Sequence, residues 1–295
     1  MKDFKIIAIG DNVCDKYLSR KKMYPGGQCV NVCAFAGMNG VETAYLGKFG
    51  NDEVAECIKD TLQKLGVDYS HCRYFEGENG FALVTLKGND RVFLGSNKGG
   101  IAKEHNFNFT KEDLEYIKEF QLIYTNLNSY IEEELPVLEK TDVPIAYDFS
   151  TKWTDEYLKK ICPYVTIALM SCSHLTSEKR EGEMRKAQRY GVKIVLGTIG
   201  EAGSWVLYKN KFYYTKAVYA ENAIDTMGAG DSYFATFLSS LLITSEQGAL
   251  IAGTDKEMKE RLVSAMIKGA VFSAKVCEME GAFGYGVPIA GKTEV

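Results

Sequence analysis

Gly228-Ala229-Gly230-Asp231 is the stretch of the chain best suited to phosphate chemistry. Behind it Phe234, Phe237, Leu238, Leu241 and Leu242 recur at i, i+3, i+4, i+7 and i+8, which reads as a helix with one apolar stripe. The glycines therefore open a helix. Its first N–H groups have no carbonyl partner within the helix and the macrodipole is positive there, so a phosphate can approach side chains that barely project. Asp231 falls in the first turn, and since a carboxylate repels phosphate its role there is that of a base. It can take the proton of an attacking hydroxyl while the amides of Gly228, Ala229 and Gly230 hold the transferring group. A Gly-rich turn with an N-capping Asp is the structural alternative. A second polar set follows the apolar run from Phe4 to Ile9, which reads as a buried first strand. Asp11 and Asp15 lie just past its carboxyl end, where parallel α/β sheets bind ligands, although Asp11-Asn12 also suits a simple turn. A third is Gly26, Gly27 and Asn31 at the next helix start: the glycines let backbone lie close to a ligand, and Asn31 offers hydroxyls both a donor and an acceptor.

These groups need elements to hold them. The 295 residues, 46% apolar, suffice for one large α/β domain with an appendage, or for two domains. A net charge of −4 argues against nucleic acid as a partner. The eight cysteines contain no C-x-x-C, and with three histidines a zinc cage is not expected; scattered thiols point to the reducing cytoplasm. No run is long and apolar enough for a membrane span, and the start of the chain is too short in apolar residues for a signal peptide. Val41 to Leu46 reads as a strand, and the helix after it is capped by Asn51 or Asp52 and buries Val54, Cys57, Ile58, Leu62 and Leu65. Residues 82–94 read as a β-hairpin with a polar turn at Lys87-Gly88-Asn89-Asp90. Thereafter strands near 122–124, 143–147, 165–169 and 193–196 alternate with helices, the pattern of βαβ units and a parallel sheet, before a hairpin at 205–215 and a long helix over 256–280. Arg20-Lys21-Lys22 reads as a solvated hairpin tip. No P-loop and no G-x-G-x-x-G is present.

Asp225-Thr226-Met227-Gly228-Ala229-Gly230-Asp231 resembles the second signature of the PfkB, or ribokinase-like, carbohydrate kinases. Gly26-Gly27 with Asn31 resembles the first, two hundred residues earlier, and Gly47-x-x-Gly50-x-Asp52 and Leu65-Gly66-Val67-Asp68 extend the likeness through the first half. The resemblance implies a three-layer α/β/α ribokinase-like domain over residues 1–295, with a central, mostly parallel sheet and a small β-sheet lid from about 12–24 and 73–97. It implies ATP and Mg²⁺, Asp231 as catalytic base, and a sugar held by Asp11, Asp15, Gly26, Gly27 and Asn31. Thr198, Gly200 and Gly203 resemble the turn that carries the nucleotide, joined by Thr226. Asp225 and Gly281 would help hold a monovalent cation such as K⁺. A lid suits phosphoryl transfer because water must be excluded.

Two features set this chain apart. Where the family places Asn-x-x-Glu to organise Mg²⁺, the chain has Ser171-Cys172-Ser173-His174-Leu175-Thr176-Ser177-Glu178, so Glu178 either acts on Mg²⁺ through water or is a first-turn helix carboxylate. Three stretches, 9–15, 89–93 and above all Asp148-Phe149-Ser150-Thr151-Lys152-Trp153, resemble the fructoselysine 6-kinase branch of the family, which phosphorylates a fructose–amino acid adduct at O6. Asp148, Ser150, Lys152 and Trp153 would then meet a substrate with a charged amino-acid tail by pairing and stacking on the indole, or Lys152-Trp153 would simply cover a helix start at Thr154. Arg91 would meet an anionic group or form a surface ion pair. The alternatives are a fructokinase or ribokinase acting on a free sugar, a non-catalytic sugar or nucleotide sensor, and, third, an NAD-linked dehydrogenase. An exposed lid edge would invite a homodimer.

Overall fold

The computed structural model describes residues 4–87 and 90–294, with Asp90 and Arg91 described in backbone only. The strands are β1 (Lys5–Gly10), β2 (Val13–Tyr17), β3 (Lys22–Gly26), β4 (Glu42–Phe49), β5 (Arg73–Tyr74), β6 (Gly80–Lys87), β7 (Asp90–Ser96), β8 (Leu122–Asn126), β9 (Ile145–Asp148), β10 (Ile167–Ser171), β11 (Ile194–Thr198), β12 (Ser204–Tyr208), β13 (Lys211–Thr215) and β14 (Val287–Pro288). The helices are α1 (Gln28–Met38), α2 (Glu53–Lys64), α3 (Ile101–Glu104), α4 (Lys111–Ile117), α5 (Leu135–Glu139), α6 (Asp155–Ile161), α7 (Ser177–Arg189), α8 (Ala229–Ile243) and α9 (Asp255–Val276).

The main sheet runs β13-β12-β11-β10-β9-β8-β1-β4-β5. Pairings from β11 through β5 are parallel, and β12 and β13 add an antiparallel hairpin at one edge. Side chains alternate across a strand, so Ile6 and Ala8 enter a core with α1, α2, α8 and α9, while Ile7 and Ile9 enter another with α4 to α7. That gives the three-layer α/β/α, ribokinase-like fold. The cap expected at Asp52 forms, its carboxylate accepting from the Ala55 N–H, and Thr110 and Asp113 make a reciprocal capping box on α4.

A second sheet, β14-β3-β2-β6-β7, stands over the carboxyl end of β1. Its boundaries differ from expectation at both ends. Arg73–Tyr74 extends the main sheet beside β4 instead, and the C-terminal Val287–Pro288 pairs with β3. Lys16 secures that tail, its buried ammonium donating to the carbonyls of Ala290 and Lys292 at 2.7 and 2.6 Å. Gly88 and Asn89 of the hairpin turn lie outside the described residues. No described helix is long and apolar enough to cross a membrane.

Candidate active site

A cavity of about 550 Å³ opens between the carboxyl ends of the main sheet and the second sheet. Its floor is the start of α8. Gly228 is left-handed (φ 73°), and a Cβ there would lie 2.7 Å from the Ala282 Cβ and 3.2 Å from the Phe35 ring. Gly230 differs: a Cβ there would meet nothing within 4 Å. Asp231 accepts a 2.6 Å hydrogen bond from Nδ2 of Asn31 on α1, the helix that packs against α8. The other amide atom of Asn31, Oδ1, is buried without a protein donor, so it is an acceptor that a ligand hydroxyl can satisfy.

Asp11 has a structural task. Its carboxylate accepts from the N–H groups of Gln28 and Cys29 at 2.8 and 3.1 Å and from Asn126 Nδ2 at 2.7 Å, so it caps α1, whose N-cap Gly27 has no side chain to do so. It still borders the cavity, as do Asp15 and Gly27. Gly26 lies behind them, where a Cβ would sit 3.1 Å from Asp15 Oδ2 and 3.6 Å from Asn31 Oδ1.

The wall beside β9 carries Asp148, from the stretch marked in the sequence, together with Gln28, Asn128, Tyr130 and Lys98, which no motif marked. Asp148 is 3% exposed and accepts from Gln28 Nε2 at 2.7 Å and from the Ser150 N–H at 2.6 Å. Burial, reinforced by the charges of Asp231 and Asp11, pushes its carboxyl up to about 8. Gln28 is itself held by Asn128, and Tyr130 reaches across to the Lys98 carbonyl. Lys98 and Lys152 both line the cavity, facing four carboxylates: Asp11, Asp15, Asp148 and Asp231. Trp153 does not line it; its indole N–H donates to Glu183 on α7 and its ring packs beside His174, so stacking on a substrate tail is not its role. The Arg91 side chain lies outside the described residues.

Thr226 lines the cavity with Gly228, Ala229 and Gly230, whereas Thr198, Gly200 and Gly203 lie one strand beyond it, where β11 pairs with β10 (Ser171 opposite Thr198). Gly200 and Gly203 have φ of 56° and 100°, as a turn of this tightness needs. Glu178 is exposed in the first turn of α7 and outside the cavity lining. Among the described residues no group of three or more His, Cys, Asp or Glu side chains is arranged to hold a metal. Asp225 and Gly281 do meet, but through the Gly281 N–H donating to Asp225 Oδ2 at 3.2 Å. Arg20 pairs with the same oxygen at 3.0 Å. The hairpin tip is solvated at Lys21 and Lys22, the latter facing Glu280, but Arg20 turns inward and is half-buried on Asp225. No pattern in the sequence marked these long-range partners.

Residues 5–282 match the model of the pfkB family carbohydrate kinases. The chain is similar to a fructosamine kinase, FrlD, of Bacillus subtilis (40% identical, 96% of this chain and 94% of the relative). It is also similar to a fructoselysine 6-kinase of Escherichia coli (30% identical, 79% and 87%). Among solved structures it is similar in fold to ribokinase of Giardia lamblia (TM-score 0.80, 15% identical, 95% and 94% covered). A second is Arabidopsis thaliana ribokinase complexed with ribose and ATP (0.75, 18%, 96% and 95%). With the family match spanning nearly the whole chain and both signatures meeting at one cavity, this protein belongs to the PfkB family and is a carbohydrate kinase.

Proposed function

We propose that this kinase transfers the γ-phosphoryl group of ATP to a primary hydroxyl, O6, of fructoselysine or a related fructose–amino acid adduct. The observation that carries the chemistry is the Asn31–Asp231 contact at the mouth of α8. Asp231 takes the proton from the attacking oxygen, Asn31 fixes the carboxylate and offers its Oδ1 to a neighbouring hydroxyl, and the α8 amides hold the transferring oxygens. Thr198, Gly200 and Gly203 carry the nucleotide at the edge of β11. Mg²⁺, brought in on the nucleotide with its own waters, neutralises phosphate charge, with Glu178 at most an outer partner.

Asp148 supports an adduct over a neutral sugar. In the empty site Asp148 keeps its proton because burial and two neighbouring carboxylates disfavour its charge; the ammonium that links fructose to an amino acid lets it ionise and pair, which a free sugar cannot do. Lys98 and Lys152 then suit the adduct's carboxylate. The fructosamine and fructoselysine kinases among the relatives agree with this reading. Eight unpaired cysteines fit a cytoplasmic setting, and the open edge of the second sheet fits a homodimer. The test is ADP release with ATP and Mg²⁺ across fructoselysine, a second fructose–amino acid adduct, fructose, ribose and fructose 6-phosphate. Preference for the adducts is expected. Preference for a free sugar sinks the substrate reading alone, and ATP binding without turnover on any substrate favours a sensor.

A further inference from the structure

Asp225 is fully buried, and four donors surround it. Oδ1 accepts from the Tyr17 hydroxyl and the Met227 N–H, each at 3.1 Å. Oδ2 accepts from Arg20 Nη1 at 3.0 Å and the Gly281 N–H at 3.2 Å. Arg20 sits on the turn between β2 and β3; its guanidinium lies 5.2 Å from the Tyr17 ring centre and reaches toward the Ile224 carbonyl. A monovalent cation needs a shell of oxygens. Here the groups on the carboxylate are donors, and one of them already carries a positive charge.

We propose that Arg20 is a built-in cation that takes the place of a monovalent ion beside the phosphate-binding loop. The inference rests on the kinase reading above. The Asp225–Met227 hydrogen bond fixes the two residues that lead into left-handed Gly228, so Arg20 acts as a positioning residue. It neutralises Asp225, Asp225 sets the turn, and the turn sets the first amides of α8. Because Arg20 comes from the second sheet, the same pair ties that sheet to the loop, and phosphoryl transfer needs no K⁺. A guanidinium suits the task better than a free ion because it stays charged and its planar donors serve carboxylate and carbonyl together.

The test measures turnover and melting temperature in potassium, sodium and choline chloride at equal ionic strength, for wild type, Arg20→Ala and Arg20→Gln. Wild type is expected to give the same rate and melting temperature in all three salts. Without the guanidinium the buried carboxylate is unpaired and the loop loses its fixed geometry, so both variants should turn over roughly ten- to a hundredfold more slowly in choline. Both should also melt lower, and potassium should restore rate and melting temperature together. Several-fold activation of wild type by potassium overturns the proposal, and so does a loss in both variants that is indifferent to the salt. If the single variants do not fold, Arg20→Ala with Asp225→Asn removes the unpaired charge and should give a folded, salt-indifferent protein; a potassium-dependent melting temperature in that double variant counts against the proposal. Failure of the kinase reading is separable: wild type would be silent with every substrate while the melting data still decide what holds Asp225.

Discussion

Each polar residue of the cavity makes a separate demand on the chain. Asp231→Asn keeps the size of the side chain and a partner for Asn31, so folding and ATP binding should persist while turnover falls roughly a hundred- to ten-thousandfold, the range expected for loss of a general base. Single-turnover kinetics check it; comparable turnover removes Asp231 from that role. Asp148 makes two demands. For selectivity, Asp148→Asn should lower kcat/KM for fructose–amino acid adducts by about thirtyfold, the worth of one charge-assisted hydrogen bond, and leave fructose within a few-fold. For stability, the folded chain keeps a proton on Asp148 up to about pH 8, whereas the unfolded chain releases it near pH 4. The unfolded state therefore binds fewer protons in that window, so this contribution is full below about pH 4 and lost as pH rises through about 8. Without ligand, wild type should lose melting temperature more steeply than Asp148→Asn between about pH 6 and 9. Equal slopes would mean that the Asp148 carboxyl is not raised. That Asp231 and Asn31 border one cavity was legible from sequence because each lies in a compact motif. Gln28, Asn128 and the cap made by Asp11 were not, because their partners lie from 17 to 120 residues away.

At the scale of elements, periodicity located strands and helices well and misjudged how they are covered. The stripe from Phe234 to Leu242 suggested a helix with one apolar face, yet α8 is buried on every side from Ser232 to Leu242 because it lies between α1, α9 and the sheet. Ser239 tolerates this by donating to the Ala235 carbonyl one turn back. Charge misled in the opposite direction at Arg20 alone: Lys21 and Lys22 are exposed as it suggested, whereas the carboxylate that buries Arg20 lies 205 residues on. The two glycines at the entrance to α8 divide the labour, and substitution separates them. Gly228→Ala places a Cβ against Ala282 in a left-handed residue and should cost about 1–3 kcal/mol in denaturant unfolding, with turnover lost as well. Gly230→Ala puts a methyl into open space within a helix, so stability should hold or rise by about 0.5–1 kcal/mol. Its turnover should nevertheless fall and its KM for ATP rise, because the methyl occupies the approach of the phosphate. A Gly230→Ala variant with normal kinetics would place the phosphate elsewhere.

For the whole molecule, the parallel core was readable from alternating strand and helix, while the second sheet was only half readable, since β14 enters it from the far end of the chain. That strand covers one edge of the sheet; the other edge is β7, which carries Val92, Phe93 and Leu94 at 36, 58 and 53% exposure. Phe93 lines the cavity, alternation puts Val92 on the outer face, and Leu94, the extra residue of a bulge opposite Leu83 and Val84, is exposed outside the cavity lining. An open strand with exposed apolar side chains is a template for pairing, and a second copy of the same sheet is the partner that satisfies it by symmetry. We therefore expect a dimer at micromolar concentration by light scattering. Leu94→Asp, which leaves the cavity lining alone, should yield a monomer with its core intact and its melting temperature little changed. If pairing also holds the second sheet over the cavity, that monomer should show a raised KM for sugar and faster ATP hydrolysis without sugar, because water then reaches the phosphate. A wild-type monomer at these concentrations would refute pairing through β7, and a monomeric variant with unchanged KM and hydrolysis would separate assembly from closure.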